Sequence, residues 1–315
     1  MPYELKNRLV VGIASSALFD LSESDAIFQA DGEEIYRAYQ EMNVDVPLEP
    51  GVAFQFIRRL LGLNSVGTEE DGPLVEVIIL SRNDPDTGLR VLRSVGHHGL
   101  PITRSVFMQG KSPYAYIPAF NMSLFLSANE RDVREALALG HPAGIVLPSQ
   151  TVDDDNDDLR IAFDFDGVLA DDESEQVYKN SDLQVYMDHE EANAVTPNSP
   201  GPLKDFLVEV AKIQKLEQVR VQQEEAYRQR LHIALVTARS APANERAINT
   251  LKSWGVMVND AFFLGGIDKG SVLSVLKPHI FFDDQTVHLE SSSLSVASVH
   301  IPFGSLNEQL LIAES

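Results

Sequence analysis

The feature that most constrains this chain is an internal repeat, in which the same short segments occur twice in one order. Six segments of the first half have counterparts in the second half at offsets of 150 to 159 residues. One such match arises easily between any two stretches of strands and helices, whereas six in order with a nearly constant offset indicate a duplicated fold. The pairs are FDLSESD with LADDESE, EPGVAFQFI with SPGPLKDFL, VIILSRN with IALVTAR, LRSVG with LKSWG, GKS with DKG, and LFLSAN with IFFDDQ.

The length of the chain agrees with such a duplication. At about 150 residues per domain, its 315 residues make two domains. We place the first at 1–150 and the second at 159–315. Between them, Pro148–Asp158 is polar, strongly acidic and without an apolar period, which predicts a solvated linker. A calcium loop is the alternative for this acidic run, but the glycine and the terminal glutamate of an EF-hand are missing.

Short apolar runs alternate with helical patterns along both halves. Such alternation predicts an α/β fold, with a parallel sheet that is covered by helices on both faces. The predicted strands are Leu9–Ile13, Val75–Leu80, Ser105–Met108, Leu124–Leu126, Gly144–Leu147, Arg160–Phe163, His232–Val236, Ala261–Leu264, Ile280–Phe282 and Ser298–Ile301. The predicted helices are Gly88–Gly96, Arg131–Leu139, Leu203–Gln218, Ala243–Trp254 and Ser271–Leu276.

Composition excludes several classes of function. The chain has no cysteine, which excludes disulfides, thiolate catalysis and iron–sulfur clusters. Its net charge of −22 disfavours binding to nucleic acid polymers and to anionic membranes, but not to a small anionic substrate. No apolar run is long enough for a transmembrane helix, and the N-terminal segment reads as a buried strand and loop rather than a signal peptide. We therefore expect a cytoplasmic protein, with homo-oligomer formation left open.

The strongest chemical motif follows the strand near residue 160. There the apolar run ends in Asp164, Phe165, Asp166, Gly167 and Val168. Side chains alternate along a strand, so the two carboxylates lie on one side, at the edge of the sheet where α/β proteins bind ligands. Two carboxylates this close repel each other unless a cation or a shared proton relieves them. The motif predicts a Mg²⁺ site with an acid/base pair, whereas simple capping of the strand end is the alternative.

Three further segments in the second half fit phosphate and metal chemistry. Val236–Arg239 ends a strand with a hydroxyl and begins a helix, where backbone N–H groups hold phosphate well. Lys269 precedes a helix and carries the charge that neutralises a phosphate oxygen. Phe281–Gln285 ends another strand with two carboxylates, which are good ligands for Mg²⁺.

These four motifs in this order resemble the haloacid dehalogenase-like (HAD) superfamily of phosphohydrolases. Longer strings narrow the resemblance to the cytosolic 5'-nucleotidase I family, and they run through nearly the whole chain. One departure is that the family often has Asp-Gly-Asp-Ala at the first motif, where this chain has Asp164, Phe165, Asp166 and Gly167. Both carboxylates are kept. The strings are SALFDL, PGVAFQF, LFLSANERDVREAL, GPLKDFL, VTARSAPANERAINTLKSWG, PHIFFDDQ and HIPFG.

The resemblance implies a Mg²⁺-dependent 5'-nucleotidase that hydrolyses nucleoside 5'-monophosphates. In it, Asp164 would take the phosphoryl group as an aspartyl phosphate. Asp166 would protonate the leaving oxygen and then activate water, and Lys269 would orient Asp164. A phosphatase acting on another small phosphoester and a non-catalytic nucleotide-binding regulator are the alternatives. The implied phosphate-binding residues are Thr237, Ala238, Arg239 and Lys269, and the implied metal-binding residues are Asp164, Asp166, Asp284 and Asp283.

Between the first two motifs, residues 171–230 form an insert longer than a strand-to-helix loop needs. The insert is polar and helical in pattern, and it resembles a cap that excludes water from the site. Its candidates for contacting a nucleoside are Tyr186, His189, Glu190 and Asn193, although polar residues of this kind are more often simply exposed.

Aligned through the repeat, the first half lacks the carboxylates of the second. We predict that residues 1–150 are a degenerate, non-catalytic HAD-like copy that packs against the second half and helps to shape or regulate its site. The alternative is that its strands only extend the catalytic sheet. In the alignment Ala14 stands opposite Asp164, Ser16 opposite Asp166, Ser127 opposite Asp283, Ala128 opposite Asp284 and Ser81 opposite Thr237, with Lys111 close to the register of Lys269.

Overall fold

The computed structural model describes residues 4–68, 72–149, 156–305 and 307. The chain divides into two compact units, Met1–Val146 and Leu147–Ser315, here called the first and the second unit. Most of the predicted linker, residues 150–155, lies outside the described residues. In the described part of the chain, no helix is both long enough and apolar enough to cross a membrane.

The first unit contains a parallel sheet whose strands are buried on both faces, as continuous aliphatic runs require. The strand order is β3-β2-β1-β4-β5. The strands are β1 Leu9–Ile13, β2 Val75–Ser81, β3 Arg104–Phe107, β4 Leu124–Ser127 and β5 Ala143–Val146. The helices are α1 Ser15–Leu18, α2 Ser22–Met42, α3 Phe54–Gly62, α4 Pro85–His97 and α5 Glu130–Ala138, with short 3₁₀ turns at Leu63–Val66, Tyr114–Tyr116 and Pro118–Phe120.

The second unit contains parallel strands in the order β8-β7-β6-β9-β10. The strands are β6 Leu159–Phe163, β7 Leu231–Thr237, β8 Asp260–Phe263, β9 Ile280–Asp283 and β10 Ser298–His300. The helices are α6 Glu173–Asn180, α7 Leu183–Ala192, α8 Lys204–Gln223, α9 Ala243–Ser253, α10 Lys269–Leu276 and α11 Thr286–Ser292. The α/β class and the predicted strands of both halves are confirmed. The observed strand ends differ from the predicted ones by no more than one residue.

The two units repeat one topology, strand for strand. In each unit, the strand that comes first in the sequence is central, and the unit's second and fourth strands are its neighbours. A duplicated fold predicts this repetition, whereas strands that merely lengthened a sheet would have no reason to repeat its order. The repeated strand order fits a duplicated topology, and the hypothesis that the first half is a degenerate copy of the catalytic fold stays a prediction.

The insert after the first strand also occurs in both units. An isolated antiparallel bridge closes its base, between Ala170 and Pro200 in the second unit and between Phe19 and Pro50 in the first. In the first unit, α2 is interrupted at Gly32, which has a φ of +82° that glycine adopts readily. The break lies 150 residues before the gap between α6 and α7, so the two helical inserts correspond.

The structure divides the range 171–230 that the sequence predicts as a cap. Its first part carries α6 and α7 above the strand ends. Its last helix, α8, packs on the sheet, because the ring of Phe206 lies 6.1 Å from that of Phe163 and 5.9 Å from that of Phe282. The insert proper is thus the segment between the two bridge residues, and α8 belongs to the layer of helices that covers the sheet.

Candidate active site

The predicted site residues converge because neighbouring parallel strands end at the same edge of the sheet. Asp164 follows β6, Thr237 is the last residue of β7, and Asp283 is the last residue of β9. Strand β6 lies between β7 and β9. Lys269 enters from the first position of α10. The convergence is the arrangement expected at the carboxyl ends of an open α/β sheet.

Lys269 is the buried positive centre of this edge. Its Nζ lies 2.8 Å from Asp164 Oδ2 and 2.7 Å from Asp283 Oδ2, and its side chain is 1% exposed. Burial alone would lower the pKa of this ammonium group, but the two carboxylates raise it above its ordinary value. Lys269 therefore stays charged and holds one oxygen of Asp164 in place.

Asp164 is held at both carboxylate oxygens. Oδ1 accepts a hydrogen bond of 2.7 Å from the backbone N–H of Phe165, and Oδ2 accepts the contact from Lys269. Burial raises the pKa of Asp164 above its ordinary range, although Lys269 opposes the shift. The carboxylate is thus oriented from two sides while it faces the space above the strand ends.

The two neighbouring carboxylates at the end of β9 differ sharply. Both carboxylate oxygens of Asp283 have partners. They accept hydrogen bonds from Lys269 and, at 2.8 Å, from the backbone N–H of Gln285, and one lies 3.2 Å from Nδ1 of His288. Burial opposes its ionisation, but Lys269 and His288 hold the pKa of Asp283 below its ordinary value. By contrast, neither carboxylate oxygen of Asp284 has a hydrogen-bond partner among the described residues.

Asp284 is buried beside like charges that Lys269 balances only in part. Burial first, and then Asp164, Asp283 and Glu175, raise the pKa of Asp284 to about 10. Its position requires glycine at residue 167, because a Cβ built there would lie 2.5 Å from Asp284 Oδ2. Gly167 also has a φ of +71°, which other residues rarely adopt.

This set of oxygens fits a hard divalent cation. A buried carboxylate with two unpartnered oxygens is costly unless a positive group approaches it, and Mg²⁺ binds through one or two carboxylates while keeping several waters. Spacing alone also groups Asp164, Asp283 and His288, whose ligand atoms lie within 4.8 Å of one another. The oxygens of Asp283 are already engaged, so we favour Asp284 together with Asp164 as the metal ligands.

Arg239 is placed differently from its predicted phosphate-binding role. Its Nε and Nη2 donate to the two oxygens of Asp166 at 2.8 and 2.7 Å, and its Nη1 donates to Glu190 at 2.5 Å. Nη2 also donates to Ser174 at 2.8 Å. The guanidinium thus clamps Asp166 and joins it to the insert, rather than standing free to bind a phosphate.

The clamp continues into a buried ionic network. Glu190 on α7 is fully buried and also accepts from Ser174 at 2.7 Å and from Arg246 on α9 at 3.0 Å. A buried carboxylate shared by two guanidinium groups is strongly held, because losing one partner leaves an uncompensated charge. Sequence reasoning did not identify Ser174 or Arg246, and it assigned Glu190 to the nucleoside instead.

A cavity of about 410 Å³ opens between the insert and the strand ends, within the range typical of small-ligand sites. Lys269 and Asp284 lie buried beside it. The predicted residues that line it are Asp164, Asp166, Tyr186, Thr237, Ala238 and Arg239. The full lining is Asp164, Asp166, Ser174, Glu175, Tyr178, Leu183, Tyr186, Met187, Thr237, Ala238, Arg239, Ser240, Gly265, Gly266, Gln285 and His288.

Three candidates of the insert, His189, Glu190 and Asn193, do not line the cavity. Glu175 does line it, although sequence reasoning missed it. The sequence contains a pattern that could have identified it, because Glu175 and Tyr178 are three residues apart and therefore share one face of α6. A carboxylate and an aromatic ring on one face of an insert helix are consistent with a binding wall.

Comparisons with known proteins found a matching family model and a curated relative. A family model described as 5'-nucleotidase matches residues 1–308. Cytosolic 5'-nucleotidase 1B of Homo sapiens is 33% identical over 302 residues, which are 92% of this chain and 48% of that protein. The chain thus spans about half the length of this curated relative. No solved structure matches the chain.

Proposed function

The chain belongs to the 5'-nucleotidase family, and on that premise we propose that it hydrolyses nucleoside 5'-monophosphates of the AMP or IMP type to a nucleoside and phosphate. The proposed reaction needs Mg²⁺ and passes through an aspartyl phosphate. The proposal extends to a cytosolic location, in keeping with the name of the relative.

One observation carries the proposal. A buried lysine orients the carboxylate of Asp164 from 2.8 Å at the floor of the cavity, while the carboxylate of Asp284 beside it has two unpartnered oxygens. An oriented nucleophile next to a place for a cation is what phosphoryl transfer needs, since most of its rate comes from positioning and charge stabilisation.

In the first step of the proposed reaction, an oxygen of Asp164 attacks phosphorus. The new oxygen–phosphorus bond forms as the bond from phosphorus to the 5'-oxygen breaks, and Asp166 gives its proton to that 5'-oxygen. The nucleoside leaves. Arg239 donates to both oxygens of Asp166 in the structure, so the protonated Asp166 that begins this step gives up one of these contacts and regains it as the carboxylate.

In the second step, a water molecule attacks the phosphorus of the aspartyl phosphate and passes its proton to Asp166. The bond from phosphorus to Asp164 breaks, so that phosphate leaves and both carboxyl groups regain their starting states. Thr237 and the backbone N–H groups after it are suited to hold phosphoryl oxygens at the end of β7. When bound, Mg²⁺ neutralises negative charge on the phosphoryl group, and Asp164 and Asp284 would hold it, with Asp166 and Asp283 in support.

A phosphate-release assay over a panel of phosphoesters tests the proposal. With Mg²⁺, we expect turnover of nucleoside 5'-monophosphates at a higher kcat/KM than of sugar phosphates, and loss of turnover with a chelator. A preference for sugar phosphates would favour the alternative phosphatase. Nucleotide binding without phosphate release in the presence of Mg²⁺ would favour a non-catalytic regulator, and either result would contradict the proposal.

A further inference from the structure

Glu175 has a polar atom that the protein leaves without a partner at the wall of the cavity. Its Oε1 accepts a hydrogen bond of 2.9 Å from Nε2 of Gln285, which fixes the carboxyl group across the cavity edge. Its Oε2 is buried and has no hydrogen-bond partner among the described residues. An unmade hydrogen bond at a buried oxygen is costly, so a group that binds in the cavity gains by supplying a donor.

The charge around Glu175 limits what that donor can be. Burial raises its pKa to about 7; Lys179 opposes this shift, whereas Asp166 and Asp164 add to it. Its partner Gln285 directly follows Asp284, which places Glu175 near the phosphoryl end of the site, but a phosphate is an anion whose oxygens chiefly accept hydrogen bonds. A neutral hydroxyl next to the phosphate in the substrate has the right chemistry.

Next to Glu175, the wall of the cavity becomes aromatic and aliphatic. Tyr178, Leu183, Tyr186 and Met187 line the insert side of the cavity, and the rings of the two tyrosines meet edge to face at 5.6 Å. Along the wall, the site thus offers a floor for phosphate, then a single carboxyl acceptor, then an aromatic and aliphatic surface. A nucleoside 5'-monophosphate presents phosphate, sugar hydroxyls and a flat base in the same order.

We propose that Glu175 accepts a hydrogen bond from a sugar hydroxyl of the substrate and makes the site prefer nucleotides that carry one. The inference rests on the proposed function and adds a specificity-determining residue to it. Gln285 is the positioning residue, because its hydrogen bond engages Oε1 and leaves Oε2 as the oxygen without a partner. The step involves binding alone and adds no chemistry to the reaction.

The test compares one base in four sugars: the ribonucleoside, 2'-deoxy, 3'-deoxy and 2',3'-dideoxy 5'-monophosphates. The measured quantity is the ratio of kcat/KM for the ribonucleotide to kcat/KM for the dideoxynucleotide. A hydrogen bond to a charged group predicts that Glu175→Ala lowers this ratio about 10- to 100-fold, and that Glu175→Gln lowers it less. The two monodeoxy substrates show which sugar hydroxyl donates the hydrogen bond to Glu175.

Glu191→Ala is the matched control, because Glu191 is an exposed glutamate on α7 of the same insert and is not part of the cavity wall. It should leave the ratio at the wild-type value. A second readout avoids turnover: calorimetric binding of the same four nucleotides to the Asp164→Asn protein, with and without Glu175→Ala, should show the same change in ratio.

The outcomes separate this inference from the proposed function. If the wild-type protein hydrolyses nucleotides and Glu175→Ala lowers kcat/KM equally for all four, Glu175 serves the phosphoryl chemistry and the inference is overturned. An unchanged ratio with unchanged rates also overturns it. If the wild-type protein hydrolyses a plain aryl phosphate but none of the nucleotides, the proposed function itself fails, and the inference with it.

Discussion

The two units share a strand order but treat the ends of their strands in opposite ways. In the first unit, Asp132 accepts from Ser127 Oγ and from Arg82 Nε, both at 2.9 Å, and Arg82 also lies 2.6 Å from Glu135. Asp132 is thus hydrogen-bonded at both oxygens, and Arg82 forms ion pairs with two carboxylates. In the second unit, the corresponding edge keeps Asp284 unpartnered and opens onto a cavity.

The difference shows that one strand order can carry very different side chains at its strand ends. Ala14 and Ser127 are buried at the ends of neighbouring strands β1 and β4, where the second unit has Asp164 and Asp283. Lys111 is exposed, so it does not take the place of the buried lysine of the second unit. A few side chains at strand ends decide what the fold can do. Whether the first unit shapes or regulates the site stays a prediction.

The largest effect is expected from Asp164→Asn, which removes from the second unit the carboxylate that the first unit lacks. The amide is nearly isosteric but cannot attack phosphorus, so phosphate release should fall about 10⁴-fold or more. Thermal unfolding should show that the fold is kept. Retention of more than about a thousandth of the wild-type rate would contradict covalent catalysis by Asp164.

Lys269→Met should have the next largest effect, because it leaves two buried carboxylates without their cation. The free energy of unfolding, measured with urea, should drop by about 3–5 kcal/mol. Lys111→Met is the matched change in the first unit and should stay within about 0.5 kcal/mol of the wild type, since Lys111 is exposed. Equal losses in the two variants would mean that the two lysines are equivalent after all.

The effect of Asp284→Asn on stability should depend on whether Mg²⁺ is present. Without metal, the variant should be at least as stable as the wild type, since it removes an acidic group with no partner for either oxygen. At a Mg²⁺ concentration 100 times its dissociation constant, the wild type should gain about 2.7 kcal/mol and the variant much less. The measurement is thermal unfolding across a Mg²⁺ titration, and matching titration curves would rule out Asp284 as a ligand.

Arg82→Met should have the smallest effect and act on the first unit alone. It takes the guanidinium from Asp132 and Glu135, whose pairing is only partly buried, so we expect a loss of about 1–2 kcal/mol in unfolding free energy. The kcat/KM of the folded protein should remain within about twofold of the wild-type value. The loss of one hydrogen bond to the substrate would lower kcat/KM about tenfold. A larger fall in kcat/KM would instead support a regulatory role for the first unit.

The sequence predicts the features that local pattern determines. Alternation along β6 puts Asp164 and Asp166 at the strand end, and the same reasoning places Asp284 after β9. Helix α2 was not predicted, because it has no apolar stripe and buries only Ser24 and Gln40.

Long-range pairing lies beyond such patterns. Arg239 bonds to Asp166 and Glu190, which are 73 and 49 residues away. Nothing near Arg239 in the sequence distinguishes this contact from a phosphate contact. The same holds for Glu175, whose burial depends on how the insert folds over the strand ends.

The glycine beneath Asp284 makes the difference between the units hard to undo. In the repeat, Ala17 stands where the second unit has Gly167, and it is buried within the short helix α1. Its methyl group and helical backbone replace the open, left-handed turn that admits the carboxylate of Asp284. Placing carboxylates at positions 14 and 128 would therefore not create a metal site without a change at 17 as well. The two units thus differ in the backbone that surrounds their strand ends, and not only in the side chains that those ends carry.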